Sequence, residues 1–360
     1  MDIPRDIERK VKSGERISPE DGLYLYERGE LGFVGMLANI LRERLNADRV
    51  YFNRNFHIEP TNICIHNCQF CSYRRRINQP GAWEMNKSEI LSKIDSFRGI
   101  YATEVHIVGG VHPHRDLEYY EDLLYEIKSA YPDLHIKAFT AAELEFMIRK
   151  SGLSIEEGLA RLQKAGLGSI PGGGAEIFDE TLRRKICPDK TGSQEWLDIH
   201  RAAHKLGIRS NATILYGHLE SFSQRIDHMS RLRDLQDETH GFQVFIPLKY
   251  RSENNELTDI GEVSTIEDLR NYAISRIYLD NFPHLKAYWP MIGKETASLS
   301  LSFGVDDLDG TIEDSTKIYS MAGAEDQNPN LSTKDLVELI RKAGRTPVER
   351  DTLYNILKTY

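Results

Sequence analysis

The chain has 360 residues, of which 40% are hydrophobic and 28% charged, and its net charge is −9. This composition indicates a globular protein with a large core, and the acidic balance argues against a general nucleic-acid-binding surface. No apolar stretch approaches the roughly 18 residues that a membrane span needs, and the charged N-terminus lacks the apolar run of a signal peptide. Four cysteines, three of them in one short loop, do not make a disulfide framework. We therefore expect a cytoplasmic protein with no nucleic-acid or membrane partner.

The predicted elements begin with helices and continue as an alternation of strands and helices. Residues 1–50 are predicted to form a helical N-terminal cap, and residues 326–360 a helical C-terminal extension. Between them, in residues 51–325, apolar runs of strand length alternate with segments of helical period. The predicted strands are Phe56–Ile63, Glu104–Val108, His135–Thr140, Gly168–Ile170, Arg209–Tyr216, Phe242–Ile246, Leu285–Trp289 and Ser298–Phe303.

Repeated strand–helix units demand a parallel sheet, because parallel neighbours need a crossover connection. Eight such strands predict an α/β protein built on a (β/α)8 TIM-type barrel, closed or nearly closed, as one compact unit. In such a barrel the functional groups gather at the C-terminal ends of the strands.

Three cysteines follow the first predicted strand with the spacing Cys64-x-x-x-Cys68-x-x-Cys71. Thiolates this close favour a soft metal centre, such as zinc, copper(I) or an iron–sulfur cluster. Three cysteine ligands would leave one iron of a cubane cluster open, whereas structural zinc normally has four protein ligands. A zinc site completed by His57 or His66 is one alternative, and three buried thiols without a metal are another.

Other candidate residues follow the next strands. The pair Gly109 and Gly110 would let a ligand approach the backbone, although a tight turn explains two glycines equally well. Glu143 could bind ribose hydroxyls or could be a first-turn acid of a helix. A further glycine run includes Gly173 and Gly174 and suits a pocket lined by backbone.

The later strands add polar candidates for a substrate pocket. His218 follows the fifth strand, as a substrate-contacting residue or an ordinary hydrogen-bonded loop histidine. Asp306 and Asp307 follow the eighth and are predicted to form a polar wall of the pocket. Cys187 is interpreted as a buried thiol.

With Phe70 directly before the third cysteine, the cysteine motif resembles that of the radical S-adenosylmethionine (SAM) superfamily. The stretches Glu104–Gly110, Ile136–Ala141, Lys185–Pro188, Arg209–Thr213, Asp280–His284 and Asp306–Thr311 are similar to the menaquinone and deazaflavin branch of that superfamily.

The resemblance implies a 4Fe-4S cluster on Cys64, Cys68 and Cys71 and a SAM molecule bound to its open iron. It also implies that SAM is contacted by Phe70, Tyr73, Gly109, Gly110, Glu143, Thr213 and Leu215. Val111 stands where the family usually has an acidic residue. Thr213 and Leu215 replace the first glycine and the isoleucine of the adenine motif.

The implied reaction consumes SAM and acts on a small molecule, an enolpyruvyl benzoate, with an electron donor such as flavodoxin or ferredoxin. A dianionic substrate needs cations or backbone donors, and Arg209, Arg74, Arg75 and His112 are the candidates. A cyclase or deazaflavin-forming synthase of the same branch is one alternative. A non-catalytic zinc or electron-transfer protein is the other.

Overall fold

The structure is a computed structural model of the chain that describes residues 3–99, 102–312, 317–324, 326 and 329–360. In these residues a curled, largely parallel sheet is covered by helices. The helices are α1 (Ile3–Ser13), α2 (Pro19–Arg28), α3 (Leu31–Asn46), α4 (Lys87–Ser96), α5 (Leu117–Ala130), α6 (Ala141–Lys150), α7 (Ile155–Ala165), α8 (Glu180–Ile186), α9 (Ser193–Lys205), α10 (Phe222–Thr239), α11 (Thr265–Tyr278), α12 (Trp289–Ile292), α13 (Lys294–Ser300), α14 (Lys317–Ser320) and α15 (Thr333–Lys342).

The strands are β1 (Arg49–Phe52), β2 (Asn55–Ile58), β3 (Glu104–Ile107), β4 (His135–Ala138), β5 (Ser169–Ile170), β6 (Arg209–Tyr216), β7 (Phe242–Lys249), β8 (His284–Ala287), β9 (Asp307–Leu308), β10 (Thr346–Arg350) and β11 (Ile356–Thr359). Their order across the sheet is β11-β10-β1-β9-β8-β7-β6-β5-β4-β3-β2. The pairs from β10 to β2 are parallel, and β10 with β11 is antiparallel. The sheet is therefore a TIM-like barrel that is open, with β2 at one edge, rather than closed.

Hydrogen bonds bridge the opening between β2 and the segment that follows β9. Thr311 donates its backbone N–H to the Asn53 carbonyl at 3.2 Å. Its hydroxyl donates to the Asn55 carbonyl at 3.0 Å and accepts from the Asn55 N–H at 3.2 Å. The backbone N–H of Ile312 donates to Asn55 Oδ1 at 3.1 Å. The seam thus satisfies edge groups that strand pairing would satisfy in a closed barrel.

Six of the described helices begin at a capping box, in which two side chains and two backbone N–H groups satisfy each other. The capping residues of these boxes are Ser18, Asn86, Thr140, Ser154, Ser221 and Ser332. The inner strands β6, β7 and β8 are buried on both faces along most of their length, as expected for parallel strands covered by helices. None of the described helices is long and apolar enough to cross a membrane.

The prediction of an eighth strand at Ser298–Phe303 is wrong. Residues Lys294–Ser300 form helix α13, and the barrel position belongs to β9, which the sequence analysis missed. The alternation of serine and leucine is compatible with a strand. In the structure, however, Ala297 and Leu301 are buried four residues apart while Leu299 is 53% exposed, which is a helical period.

The ends of the chain also differ from prediction. In the region predicted as a helical cap, residues 3–46 contain three helices, but β1 begins at Arg49 and joins the sheet. The C-terminal segment contains α15 and then the two strands β10 and β11, so it is not purely helical. Residue 325, the predicted end of the barrel, lies outside the described residues.

The seam between β2 and the segment after β9 depends on Gly310. An added Cβ there would lie 2.2 Å from the Asn53 carbonyl oxygen and 2.3 Å from Asn55 Oδ1. We expect Gly310→Ala to lower the free energy of unfolding in urea by about 1–3 kcal/mol, because the two backbones must separate.

Gly32→Ala in α3 is the matched control. A Cβ there meets nothing within 4 Å, and a gain of roughly 0.5–1 kcal/mol is expected. A Gly310→Ala protein as stable as the wild type would contradict a tight seam.

Candidate active site

The cysteine loop is held in shape by the three consecutive arginines that follow it. Arg74 Nε donates to the Cys68 carbonyl at 3.2 Å, and Arg76 donates to the Cys64 carbonyl at 2.8 Å. Arg75 donates to the carbonyls of residues 72 and 74. These hydrogen bonds fix the loop, and a role for Arg74 or Arg75 in receiving a substrate carboxylate stays a prediction.

The three loop cysteines fit a thiolate-bound cluster by their chemistry. Each is a free thiol, with Cys68 buried and Cys64 and Cys71 half-buried. Burial raises the pKa of Cys64 and raises that of Cys68 further, so the thiols release their protons when a metal binds. Among the described residues, no three His, Cys, Asp or Glu side chains converge as ligands to one metal ion. A cubane does not require this convergence, because each thiolate binds a different iron.

A cavity of about 260 Å³ extends from the cysteine loop into the barrel interior and opens at the mouth of the barrel. Of the residues predicted from sequence, Phe70, Cys71, Tyr73, Gly109, Gly173, Gly174, Thr213 and Leu215 line it. They lie on the cysteine loop and at the C-terminal ends of β3, β5 and β6, as the barrel rule predicts.

The Gly109–Gly110 pair lies against the loop that carries the cysteines. A Cβ at Gly110 would be 2.3 Å from the Ile63 carbonyl oxygen, so glycine is required by the close backbone approach. The N–H of Gly110 donates to the Thr61 carbonyl at 2.8 Å, and that of Gly109 donates to Glu143 at 3.2 Å. Both N–H groups have protein acceptors, which leaves the carbonyl oxygens of this turn for a ligand.

Glu143 acts as a helix-capping acid. Its carboxylate accepts the Thr140 N–H at 2.7 Å and the Thr140 hydroxyl at 2.8 Å, besides the Gly109 N–H. Burial raises its pKa to about 7. These contacts match the first-turn interpretation and link α6 to the glycine turn after β3.

Strand β6 contributes one wall, with Asn211, Thr213 and Leu215 facing the cavity at alternate positions as a strand requires. Behind the wall, Thr213 donates its hydroxyl to the Gly172 carbonyl at 2.9 Å. The His228 ring nitrogen Nε2 lies 2.9 Å from the Thr213 carbonyl. His228 on α10 therefore supports this wall without touching the cavity.

Seven of the predicted substrate residues are absent from the described lining of the cavity, including Arg74 and Arg75, whose contacts are given above. His112 lies outside the cavity, with its Nε2 3.3 Å from the Glu84 carboxylate. His218 Nε2 is in hydrogen-bond contact with the Leu215 carbonyl oxygen at 3.1 Å. Arg209 is exposed at the start of β6, the opposite end from the site, and donates to the His240 carbonyl.

Asp306 and Asp307 do not form a pocket wall. Asp306 pairs with Arg276 and lies 2.6 Å from His284, and Asp307 pairs with Arg350 at 2.7 Å. Both are fully buried, and each neutralises a buried cation that would be costly to leave unpaired. Asp309, two residues farther along, is the aspartate of this segment that lines the cavity.

The basic residues of the site were not predicted from the sequence. In the described chain, five basic residues line the cavity, namely Lys137, Lys190, Lys249, Arg251 and Lys286. Two acidic residues, Glu176 and Asp309, also line it. The available signal was a lysine between apolar neighbours inside a buried strand, as in Ile136-Lys137-Ala138 and Leu285-Lys286-Ala287.

A cap covers part of the mouth, formed in the described residues by 317–324. The Glu59 carboxylate at the end of β2 accepts the N–H groups of Lys317 and Ile318 at 3.0 and 3.3 Å. Arg251 donates to the Gly323 carbonyl at 2.5 Å. The cap is thus tied to two opposite sides of the barrel, and Ile318 lines the cavity from above.

Comparisons with known proteins agree with this geometry. A family model described as the Radical SAM superfamily matches residues 58–232, and one described as the CofH/MqnC C-terminal region matches residues 239–360. The chain is 44% identical over 358 residues to aminodeoxyfutalosine synthase of Thermus thermophilus, covering 98% of this chain and 96% of that protein. It is 43% identical over 371 residues to aminodeoxyfutalosine synthase of Streptomyces coelicolor, covering 99% and 95%.

Among solved structures, the crystal structure of methylornithine synthase matches with a TM-score of 0.73 at 17% identity. The match covers 94% of this chain and 95% of that chain. At this identity the likeness shows the fold.

The buried His228, which lies behind the β6 wall, makes the stability of the protein sensitive to acid. Burial lowers the pKa of His228 to about 3 from 6.5. Below pH 6.5 His228 therefore binds a proton in the unfolded chain but stays neutral in the folded chain. This group lowers the free energy of unfolding by about 1.4 kcal/mol for each pH unit below 6.5. We expect His228→Gln, which can still donate to the Thr213 carbonyl, to flatten the fall in urea stability between pH 6.5 and 4.5. The exposed His114→Gln variant is the control and should keep the wild-type slope; identical slopes in all three proteins would contradict the assignment.

Proposed function

The chain belongs to the radical SAM superfamily, and from this premise we propose that it catalyses the aminodeoxyfutalosine synthase reaction. There the 5′-deoxyadenosyl group of SAM is joined to the enolpyruvyl double bond of 3-[(1-carboxyvinyl)oxy]benzoate. The aryl group migrates, a carboxylate is lost, and 6-amino-6-deoxyfutalosine forms with one methionine per turnover. The two synthases at 43–44% identity over nearly the whole chain support this activity.

The observation that carries this function is the continuous cavity, which begins at the cysteine loop and ends among basic side chains. A substrate with two carboxylates must enter a protein of net charge −9, so it needs a local excess of cations. The lining supplies five basic side chains against two acidic ones in the described residues.

Cys64, Cys68 and Cys71 would hold the 4Fe-4S cluster, which when bound supplies the electron that cleaves SAM to methionine and a 5′-deoxyadenosyl radical. The lining near the loop would contact SAM through Phe70, Tyr73 and the residues of β3, β5 and β6 named above. The apolar side chains of the upper wall, Leu215, Ile246, Leu248 and Met291, exclude water. Together with the cap over the mouth, they protect a reactive radical from quenching.

Binding in this cavity would bring the reacting atoms together. Addition to a double bond needs its carbon held close to the ribose carbon, so positioning supplies much of the rate. The wall residues are held by hydrogen bonds from behind, as for Thr213 and Gly173, whose carbonyl accepts the Trp196 indole N–H at 3.2 Å.

We further infer that the enzyme acts in the cytoplasm and takes electrons from a flavodoxin or a ferredoxin. Its four cysteines are free thiols, which persist in a reducing compartment. When a turnover leaves the cluster oxidised, an external donor must supply one electron before the next turnover.

An anaerobic assay with reconstituted, reduced enzyme tests the reaction. We expect SAM labelled in the adenosyl carbons and the enolpyruvyl benzoate to give a product that contains the label, with methionine in equal amount. A cyclase or deazaflavin-forming synthase would abstract hydrogen instead. Release of labelled 5′-deoxyadenosine without a labelled adduct would therefore overturn the proposal. A zinc protein would cleave no SAM.

The cluster ligands can be tested through iron content. We expect alanine at Cys64, Cys68 or Cys71 to reduce bound iron and visible charge-transfer absorption to the level of protein that was never reconstituted. Cys187→Ala is the matched control, because this thiol is 2% exposed at the end of α8 and should keep wild-type iron. Loss of the cluster in Cys187→Ala would contradict a three-cysteine site with an open iron.

A further inference from the structure

The deep end of the cavity is charged, whereas a barrel interior ordinarily holds branched aliphatic side chains. Lys137 in β4 and Lys286 in β8 line it and are 5% and 2% exposed. Thr140, which also lines the cavity, follows Lys137 by three residues, beyond the C-terminal end of β4. We call Lys137, Lys286 and His106 in β3 the cavity floor. It is the end farthest from the cysteine loop.

Each lysine of the floor has a carboxylate beside or behind it. Lys137 Nζ lies 2.5 Å from Glu104 Oε1. Lys286 Nζ donates to Asp309 at 2.9 Å and lies 3.6 Å from Asp307. These partners keep the ammonium groups charged inside the protein. An ammonium group has three N–H donors. The contact of Lys137 with Glu104 therefore leaves N–H donors of Lys137 for a ligand. Lys286 likewise has more N–H donors than the one that its hydrogen bond to Asp309 uses.

Stability does not explain this floor. Buried ion pairs are commonly no more stabilising than apolar side chains of the same volume, because desolvation offsets the attraction. In addition, His106 Nε2 is buried and has no hydrogen-bond partner among the described residues, and His106 is the register neighbour of Lys137. A hydrogen-bonding group without a partner, next to two ammonium groups on a cavity wall, indicates a polar ligand.

We propose that Lys137 and Lys286 bind the ring carboxylate of the aryl substrate, with His106 as an additional hydrogen-bonding group. This inference rests on the proposed function. The enolpyruvyl carboxylate is attached to the carbons that react, so it stays at the SAM end of the cavity. The ring carboxylate lies on the far side of the ring and reaches the floor. Anchored there, it fixes the ring while the aryl group exchanges its bond to oxygen for a bond to carbon.

The test compares two substrates, 3-[(1-carboxyvinyl)oxy]benzoate and the analogue in which hydrogen replaces the ring carboxylate. We expect Lys286→Met to lower kcat/KM for the carboxylated substrate at least ~30-fold, since removing one partner of a buried charge contact weakens binding strongly. For the analogue the loss should be much smaller. A purely structural lysine would lower both values equally, and that result would overturn the proposal.

Lys137 is tested together with Glu104, because Lys137→Met alone leaves Glu104 charged and buried without a partner. For the same reason Lys286→Met is accompanied by Lys286→Met/Asp309→Asn, which removes the carboxylate that pairs with Lys286 and should show the same substrate-dependent loss. The double variant Glu104→Gln/Lys137→Met removes both charges and should also lose the preference for the carboxylated substrate. The matched control is Lys249→Met/Asp268→Asn, which removes another buried pair of the cavity wall, with Nζ 2.9 Å from Oδ2. It should change kcat/KM for the two substrates by equal factors. If this control alone abolishes the preference, the carboxylate lies at β7 and the floor assignment is wrong.

Equilibrium dialysis of the two compounds against reconstituted enzyme separates this inference from the proposed function. If wild-type enzyme forms no adduct but binds the carboxylated compound more tightly in a Lys286-dependent way, the function fails and the floor assignment stands. If the adduct forms while the Lys286→Met variant binds both compounds as the wild type does, the function stands and the floor assignment fails.

Discussion

Each of the five basic side chains that line the described cavity is paired with a carboxylate: Lys137 with Glu104, Lys190 with Glu176, Lys249 with Asp268, Arg251 with Glu262 and Lys286 with Asp309. The site depends on this pairing. An isolated ammonium in a low-dielectric interior would give up its proton, whereas a paired one keeps its charge. Because most of the carboxylates lie behind the lining, the cavity surface stays rich in cations although the protein as a whole is acidic.

The same pairing continues from the cavity to the end of the chain. Arg350 in β10 binds Asp307 at 2.7 Å, and Asp307 lies next to Lys286 of the floor. Arg54 binds Glu349 at 2.6 Å. Strand β10 also pairs in parallel with β1. The two ends of the chain are therefore part of the barrel, and they supply the charges that complete its interior.

The sequence predicts the alternation of strands and helices, the cysteine loop at the end of the first barrel strand, and the glycine turns, because each rests on local pattern. Ser298–Phe303 was mistaken for a strand because the alternation of serine and leucine does not reveal which leucine is buried. β10 escaped prediction because Pro347, Glu349 and Arg350 are untypical of a buried strand. Their burial depends on partners 43 and 295 residues away. Asp306 and Asp307 were assigned to the pocket for the same reason, since only the fold shows that Arg276 and Arg350 neutralise them.

The boundary between the two matching family models, near residue 235, falls inside the curled sheet, between β6 and β7. These two strands pair along almost their full length, from Ser210 with Phe242 to Tyr216 with Lys249. A fragment that stopped at this boundary would expose the unpaired backbone of β6 and would lack Lys286, Asp309 and Arg350. The two matched regions therefore share one continuous sheet, and an exchange of halves between relatives would have to preserve both the β6 edge and the charges on each side of it.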